Sequence, residues 1–243
     1  MRNQVVKTIY ILLICNMFEW VKNIFVSNKI PSVTFYSLYQ KILNWRKSNV
    51  YPFPYNLPEA ISLPSSFWED VVKIHNLTLK DGLERAISVF WTDGELLLTS
   101  VAKGDEKSVT TNHSVNVRYI PHPTRKEYFR KEVLLNEKVI KRKDIYYKKA
   151  PKKIEVEYIF NMHTHPSHEY GYSFFSKQDI DSLLSSSAVL TGLVTDKLWL
   201  LIRTSETPSV CNMLEKDITV ETLKNEMKIG VYCADFYKNA IKQ

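Results

Sequence analysis

Apolar and polar positions change rhythm several times along the chain, and each change predicts an element. Ile9 to Phe18 is an apolar run broken only by Asn16, with Arg2 and Lys7 before it and Glu19, Trp20 and Lys22 after it. The run is too short to span a bilayer, and no small-residue cleavage site follows it. Met1 to Val26 therefore reads as an apolar or amphipathic helix, packed on protein or touching a membrane surface. A second, aromatic-rich helix is predicted around Val33 to Trp45. Pro52, Pro54, Pro58 and Pro64 then punctuate a linker, which sets a domain boundary there.

Ser65 or Ser66 can cap a helix that runs through Phe67, Val71, Val72 and Ile74, with Glu69 and Asp70 in its first turn. Asp81-Gly82 turns the chain into a strand from Ala86 to Trp91. Thr92-Asp93-Gly94 has the composition of a hairpin turn, with Leu96 to Val101 returning and a third strand near Val115 to Ile120. Val156, Tyr158, Ile159 and Phe160 lead a further strand into Asn161-Met162-His163-Thr164-His165-Pro166. A helix is predicted from Ser176 to about Ser185, and a hairpin pairs Ala188 to Val194 with Leu198 to Arg203. Leu223, Met227 and Val231 stand at helical spacing, which predicts a closing helix or two between Leu214 and Ile241.

Composition adds little to the fold and more to the choice of partner. Hydrophobic and charged fractions of 44% and 24% are those of an ordinary globular protein. The formal charge of +7 is concentrated between Arg125 and Lys153, where twelve Lys/Arg face four Asp/Glu. That segment is a solvated face, a loop that orders on binding, or a docking surface for an acidic partner or nucleic acid. Cys15, Cys211 and Cys233 are far apart and form no Cys-x-x-Cys. They suggest neither a disulfide framework nor a zinc ribbon, and point to a reducing, cytoplasmic compartment. The chain has no phosphate-cradling Gly-rich loop, no Gly-x-Ser-x-Gly elbow, and no His-x-Glu with Pro-Cys-x-x-Cys.

One stretch states a chemistry. Residues two apart in a strand share a face, so His163 and His165 can present both imidazoles to one side while Thr164 faces away. Pro166 ends the strand because it cannot donate to a ladder. Ser176 and Asp179 stand where the next helix begins, ahead of Ile180, Leu183 and Leu184. Two imidazoles and one carboxylate, with a fourth position open, form a typical catalytic zinc set; structural sites more often fill all four positions, usually with thiolates. Taken singly, a His pair in a strand is usually structural, and Ser-x-x-Asp is also a capping-box variant.

The combination of His-x-His-Pro, a loop and Ser-x-x-Asp resembles the JAMM/MPN (JAB) zinc metalloprotease family, in its prokaryotic-type JAB branch. The resemblance covers roughly Leu63 to Thr204, and nine residues separate Pro166 from Ser176 where the family usually has fewer. It implies an α/β (α+β) fold: a mixed β-sheet flanked by helices, with an N-terminal helical extension and a C-terminal helix. The corresponding segments are 1–62, 63–205 with the basic insertion at about 121–153, and 206–243.

The resemblance further implies one Zn2+ per chain on His163, His165 and Asp179. Glu84 occupies the family's general-base position before the first strand, with Glu95 on the next strand as runner-up. The glycine-rich context that often follows the family's Glu is absent. Ser176 is the implied oxyanion donor, although one hydroxyl serves poorly as both donor and helix cap. The implied activity is a peptidase or isopeptidase acting on the C-terminal tail or isopeptide bond of a ubiquitin-like protein, with the basic insertion as a docking element. Two alternatives remain at this stage. One is a non-catalytic scaffold of the same fold, against which the complete His, His, Ser, Asp set argues. The other is a nucleic-acid role like that of the RadC branch, which usually has Asn and Gly where Thr164 and His168 stand. His168 lies in the adjacent loop and is left out of the site; His75, His113 and His122 show no metal spacing.

Overall fold

Helical periodicity and strand alternation sort the residues of this computed structural model onto a large central sheet. The structure describes residues 32–48, 51–92, 95–98, 101–110, 115–135, 137–146, 156–167, 173–186 and 188–243. The Met1–Val26 segment, the turn residues Asp93 and Gly94, the loop around His168, and residues 147–155 of the basic segment lie outside these. Residues 32–243 form one compact unit. Among the described residues no helix is long and apolar enough to cross a membrane.

Strand β1 (Ser32–Thr34) leads into helix α1 (Phe35–Ser48), whose Phe35, Leu38 and Ile42 fall on one face and are buried. Strand β2 (Ala60–Ser62) precedes helix α2 (Ser65–Asp81), which buries Phe67, Trp68, Val71, Ile74 and Thr78. Each large apolar side chain buried this way contributes about 1.5–3 kcal/mol. Gly82 ends α2 with φ of 69°, the left-handed conformation that glycine adopts at no steric cost, and its N–H bonds the Thr78 carbonyl.

Strands β3 (Arg85–Thr92), β4 (Glu95–Leu98) and β5 (Ala102–Lys103) follow, then a meander of β6 (Val115–Pro121), β7 (Tyr128–Leu135) and β8 (Lys138–Tyr146). Strand β9 (Val156–Thr164), helix α3 (Lys177–Ser185), β10 (Leu190–Val194) and β11 (Leu198–Ile202) come next. Helix α4 (Val220–Asn225), β12 (Gly230–Ala234) and β13 (Ala240–Lys242) complete the chain. The main sheet has ten strands in the order β1-β2-β13-β12-β11-β10-β9-β3-β4, with β5 also paired to β3. Among the described strands only β1/β2 and β9/β10 are parallel. Among the described residues this is a mixed α/β architecture with four α-helices, compatible with the α+β expectation.

The two faces of the sheet carry separate cores. Helices α1 and α2 pack with Ile87, Val89, Phe160, Met162 and Val194. Helices α3 and α4 pack on the other face with Leu193, Leu201 and Val231. The meander β6–β8 forms its own three-stranded sheet and sets Val133 against Phe90.

Several expectations are corrected. The Pro-rich stretch is no linker: Leu57, Ala60 and Ile61 are buried, and β2 pairs with both β1 and β13. Helix α2 starts at Ser65 with no side-chain cap; the extended Pro64 supplies its carbonyl to the Phe67 and Trp68 amides, and no acidic residue lies in the first turn. The segment from Leu214 to Ile241 is not simply helical, since its apolar run from Ile229 becomes β12, a strand buried on both faces. The described part of the basic segment is an ordered β-meander rather than a loop awaiting a partner.

Candidate metal centre

The parallel pair β9/β10 is joined through α3, so α3 returns antiparallel to both strands and its N-terminus stands at the C-terminal end of β9. The alternation of β9 sends Phe160 and Met162 into the α1/α2 core, and Asn161, His163 and His165 toward α3. In register, His163 lies between Ala86 of β3 and Leu193 of β10. The close approach of β10 depends on Gly192, where an added Cβ would lie 2.9 Å from the Met162 Cβ.

Ser176 is the N-cap of α3 and Asp179 its third residue, and together they form a capping box. The Asp179 amide donates to Ser176 Oγ at 3.2 Å, and the Ser176 amide donates to Asp179 Oδ2 at 2.8 Å. The Ser176 hydroxyl also donates to Oδ2, at 2.8 Å. Glu215, from a later segment, accepts the Lys177 amide at 2.8 Å and holds the start of the helix from outside. These bonds turn Oδ1 of Asp179 to His163 Nε2 at 3.1 Å, with His165 Nε2 3.4 Å from Oδ2. The two imidazole Nε2 atoms are 3.1 Å apart.

Donor groups of three residues thus converge, with side chains only 13%, 7% and 17% exposed for His163, His165 and Asp179. Zinc bonds of about 2.0–2.1 Å at tetrahedral angles place neighbouring donors about 3.3–3.4 Å apart. The imidazole nitrogens are 3.1 Å apart, and the Asp179 carboxylate meets them through different oxygens, Oδ1 at 3.1 Å from His163 and Oδ2 at 3.4 Å from His165. One ligand atom from each residue lies within 4.8 Å of the others, and two imidazoles with a carboxylate are a donor set that suits a small divalent ion. Among the described residues no further His, Cys, Asp or Glu joins the cluster, which leaves a tetrahedral ion one position for water or substrate.

Glu84 lies one residue before β3 and lines the same cleft, of about 130 Å³, with both histidines and Asp179. It is only 6% exposed. Its backbone is held on both sides, its N–H donating to the Asp105 carbonyl and its C=O accepting from Gly104. Glu95, the runner-up, pairs with Thr92 at the opposite end of β3, a strand of 8 residues. At about 3.3 Å per residue that end is about 25 Å away, so Glu84 is the glutamate at the cleft.

The electrostatics follow from burial and proximity. Burial raises the Glu84 carboxyl above its usual value, Asp179 and Asp105 add to this, and the two histidines pull against it. Burial alone would also raise Asp179, but the charge and hydrogen bonds of His163 and His165 overcome it and hold the carboxyl well below the usual range. Burial lowers His163, yet Asp179 and Glu84 outweigh it and the ring titrates above its ordinary value.

Of the residues named from the sequence, Glu84, His163, His165, Ser176 and Asp179 are all brought to this cleft. With its proton on Asp179, the Ser176 hydroxyl caps the helix and orients a ligand, which differs from the oxyanion role that the resemblance implies. His122 pairs with Asp144 on the meander, and His75 packs its ring on Phe236; neither approaches the site. Sequence reasoning missed Asn161, Gln178 and Thr191, which also line the cleft. Asn161 was within reach of the same argument, being two residues before His163 on the same strand face. No protein-family model matches the chain, and no curated protein or solved structure matches it either.

Proposed function

We propose that the protein is a zinc-dependent peptidase or isopeptidase of the JAMM/MPN type, acting on the C-terminal tail or an isopeptide bond of a ubiquitin-like protein. The observation that carries this reading is the convergence of His163 Nε2, His165 Nε2 and the Asp179 carboxylate, with one ligand atom from each within 4.8 Å of the others, beside a buried glutamate. His163, His165 and Asp179 would hold the metal. Zinc there supplies Lewis-acid chemistry, bringing the pKa of water from about 15.7 toward about 7 and polarising a carbonyl.

The chain's own residues have separable roles in this reading. Glu84 takes a proton from water and passes it to the leaving amine. Its burial in the cleft beside the donor cluster suits that role, because a general base must lie within reach of the proton it takes. Ser176 holds Asp179 in its ligating orientation, as outer-shell partners of metal ligands do. Helix α3 presents its N-terminus to the site, where its dipole favours the ionised Asp179. Asn161 and Gln178 bring amide groups to the cleft wall that can bind a peptide backbone.

The deciding experiment is metal content. Zinc per chain is measured in purified protein and in His165→Ala prepared identically, and both are then assayed on ubiquitin-like proteins carrying C-terminal extensions. The reading expects one zinc per chain in the wild type, lost in the variant, and cleavage by the wild type alone. A wild type that holds no zinc and takes up none on addition would overturn it and leave a binding module.

A further inference from the structure

We propose that Thr164 and Thr78 are positioning residues, a two-hydroxyl clamp that sets the general base Glu84 against the metal ligands. The proposal rests on the hydrolase reading above and deepens it.

The ladder between β3 and β9 stops at the pair Ala86–His163. One step beyond, where Arg85 and Thr164 face each other, a side chain takes over from the backbone. The Arg85 N–H donates to Thr164 Oγ1 at 2.8 Å. Thr164 Oγ1 in turn meets Thr78 Oγ1, on α2, at 2.5 Å, and the Thr78 hydroxyl donates to the Leu83 carbonyl at 2.9 Å. With the Thr78 proton on Leu83, Thr164 is the donor in the contact between the two threonines. The bonds run in one direction, from Arg85 N–H to Thr164, to Thr78, to Leu83 C=O.

The two ends of that chain are the backbone groups on either side of Glu84. Its own N–H and C=O are held by Asp105 and Gly104, so both flanking groups and both of its own are taken up. The guanidinium of Arg85 adds bonds to the carbonyls of Leu83 and Glu84 and an ion pair to Asp81. Thr78 and Thr164 are 2% and 0% exposed, so water does not compete for their hydroxyls. A backbone held in this way leaves the base little freedom to move other than by side-chain rotation.

Thr164 is also the residue between the two histidines, on the opposite face of β9. One side chain therefore couples the position of the ligand strand to the position of the base. A displacement of about 1 Å at a reacting group can cost about 100-fold in rate, so the clamp is expected to act on catalysis by placing Glu84.

Thr164→Val keeps the shape and removes the hydroxyl, Thr164→Ser restores it, and Thr78→Val cuts the chain from its other side should the first variant fail to fold. Each is loaded with zinc and assayed on the ubiquitin-like fusion. Metal content, the visible spectrum of the cobalt-loaded protein and hydrogen exchange of the Arg85 amide are recorded alongside. The clamp predicts kcat reduced about 10- to 100-fold in the valine variants with KM and metal content unchanged. It also predicts an unaltered cobalt spectrum, faster exchange at Arg85, and recovery of rate and protection in Thr164→Ser.

Wild-type kcat in both valine variants overturns the proposal, and so does loss of metal in step with loss of rate. A wild type that neither holds zinc nor cleaves overturns the hydrolase reading, and this proposal with it. Wild-type cleavage matched by both valine variants overturns this proposal alone.

Discussion

Ser176 and Asp179 are bonded to each other three times: the serine amide and hydroxyl both donate to Oδ2, and the Asp179 amide donates back to the serine oxygen. The pair closes the N-terminus of α3 and fixes the carboxylate that faces His163. This separates two accounts of the serine. As a positioner of the carboxylate, its loss weakens metal binding; as an oxyanion donor, its loss slows the chemistry and leaves the metal in place. Ser176→Ala is expected to lower zinc affinity about 10- to 100-fold, as removal of outer-shell partners does. It should also cost about 1 kcal/mol of stability through the lost cap. Zinc titration by calorimetry reads the first and denaturant unfolding of the chelated protein the second. Unchanged affinity with a rate loss of about 100- to 1000-fold would return Ser176 to the oxyanion role.

Glu84, the general base of the proposed hydrolase, lines the cleft and stands outside the donor cluster. Glu84→Gln should therefore keep the zinc of the wild type while hydrolysis falls by about 100- to 10,000-fold. The base works only when ionised, so the wild-type rate falls as pH drops through the Glu84 pKa. Burial raises that pKa in the metal-free site and the charge of a bound ion would pull it down, so the acid limb reads the balance of the two. The profile of kcat/KM against pH checks this, and a wild-type rate in Glu84→Gln removes the residue from the mechanism.

Much of the site was legible because its chemistry coincides with local backbone rules. His163 and His165 share a face by the two-residue period of a strand, and Ser176 and Asp179 announce a helix start by the same spacing that joins them. Glu84 was reachable only through resemblance, since nothing local marks a glutamate before a strand as a base. The clamp of Thr78 and Thr164 was out of reach because its partners are 86 residues apart and meet only through packing of α2 on the sheet. The C-terminal segment misled for a different reason. Leu223, Met227 and Val231 keep helical spacing across a helix that ends at Asn225, while the strand from Gly230 is buried on both faces and shows no alternation. Counting charge in the basic segment could not show its pairing: Arg130 and Arg142 lie against Asp144 and Glu132 across the meander, and Arg118, from before the segment, shares Glu132.

Gly192 has no side chain because β10 passes too close to β9 to admit one. The Cβ of an alanine would lie 2.9 Å from the Met162 Cβ, which is fixed to the backbone of a central strand and has little room to give. Met162 precedes His163, and Gly192 precedes the Leu193 that stands opposite it. Gly192→Ala is expected to destabilise the fold by about 1–3 kcal/mol, the usual cost of overpacking. The strain falls on the ligand strand, so zinc affinity should drop as well. A denaturant midpoint and zinc affinity equal to those of the wild type would show that the two strands can separate without cost.

Glu132 is nearly inaccessible, with a side chain 4% exposed, and lies between Arg118 and Arg142 across the three strands of the meander. The Arg118 Nε donates to one carboxylate oxygen at 2.9 Å and the Arg142 Nε to the other, also at 2.9 Å. The hydrogen bond from Arg118 leads the causes that hold this carboxyl below its ordinary value; burial opposes it and Arg142 adds to it. A carboxyl with a depressed folded pKa stabilises the fold above its unfolded value of 4.5, and that stability is lost as pH falls through the folded pKa. Glu132→Gln removes the charge with little change of shape. The melting temperature of wild type should exceed that of the variant at pH 7, and the gap should close as the pH is lowered below 4.5 and through the folded pKa. Other carboxyls titrate in both proteins and cancel in the difference. The meander is held to the main sheet through Val133 on Phe90, so the same loss should appear as earlier proteolysis between Pro121 and Tyr128 in the variant at neutral pH. A gap that stays constant with pH would mean that Glu132 contributes by shape rather than by charge.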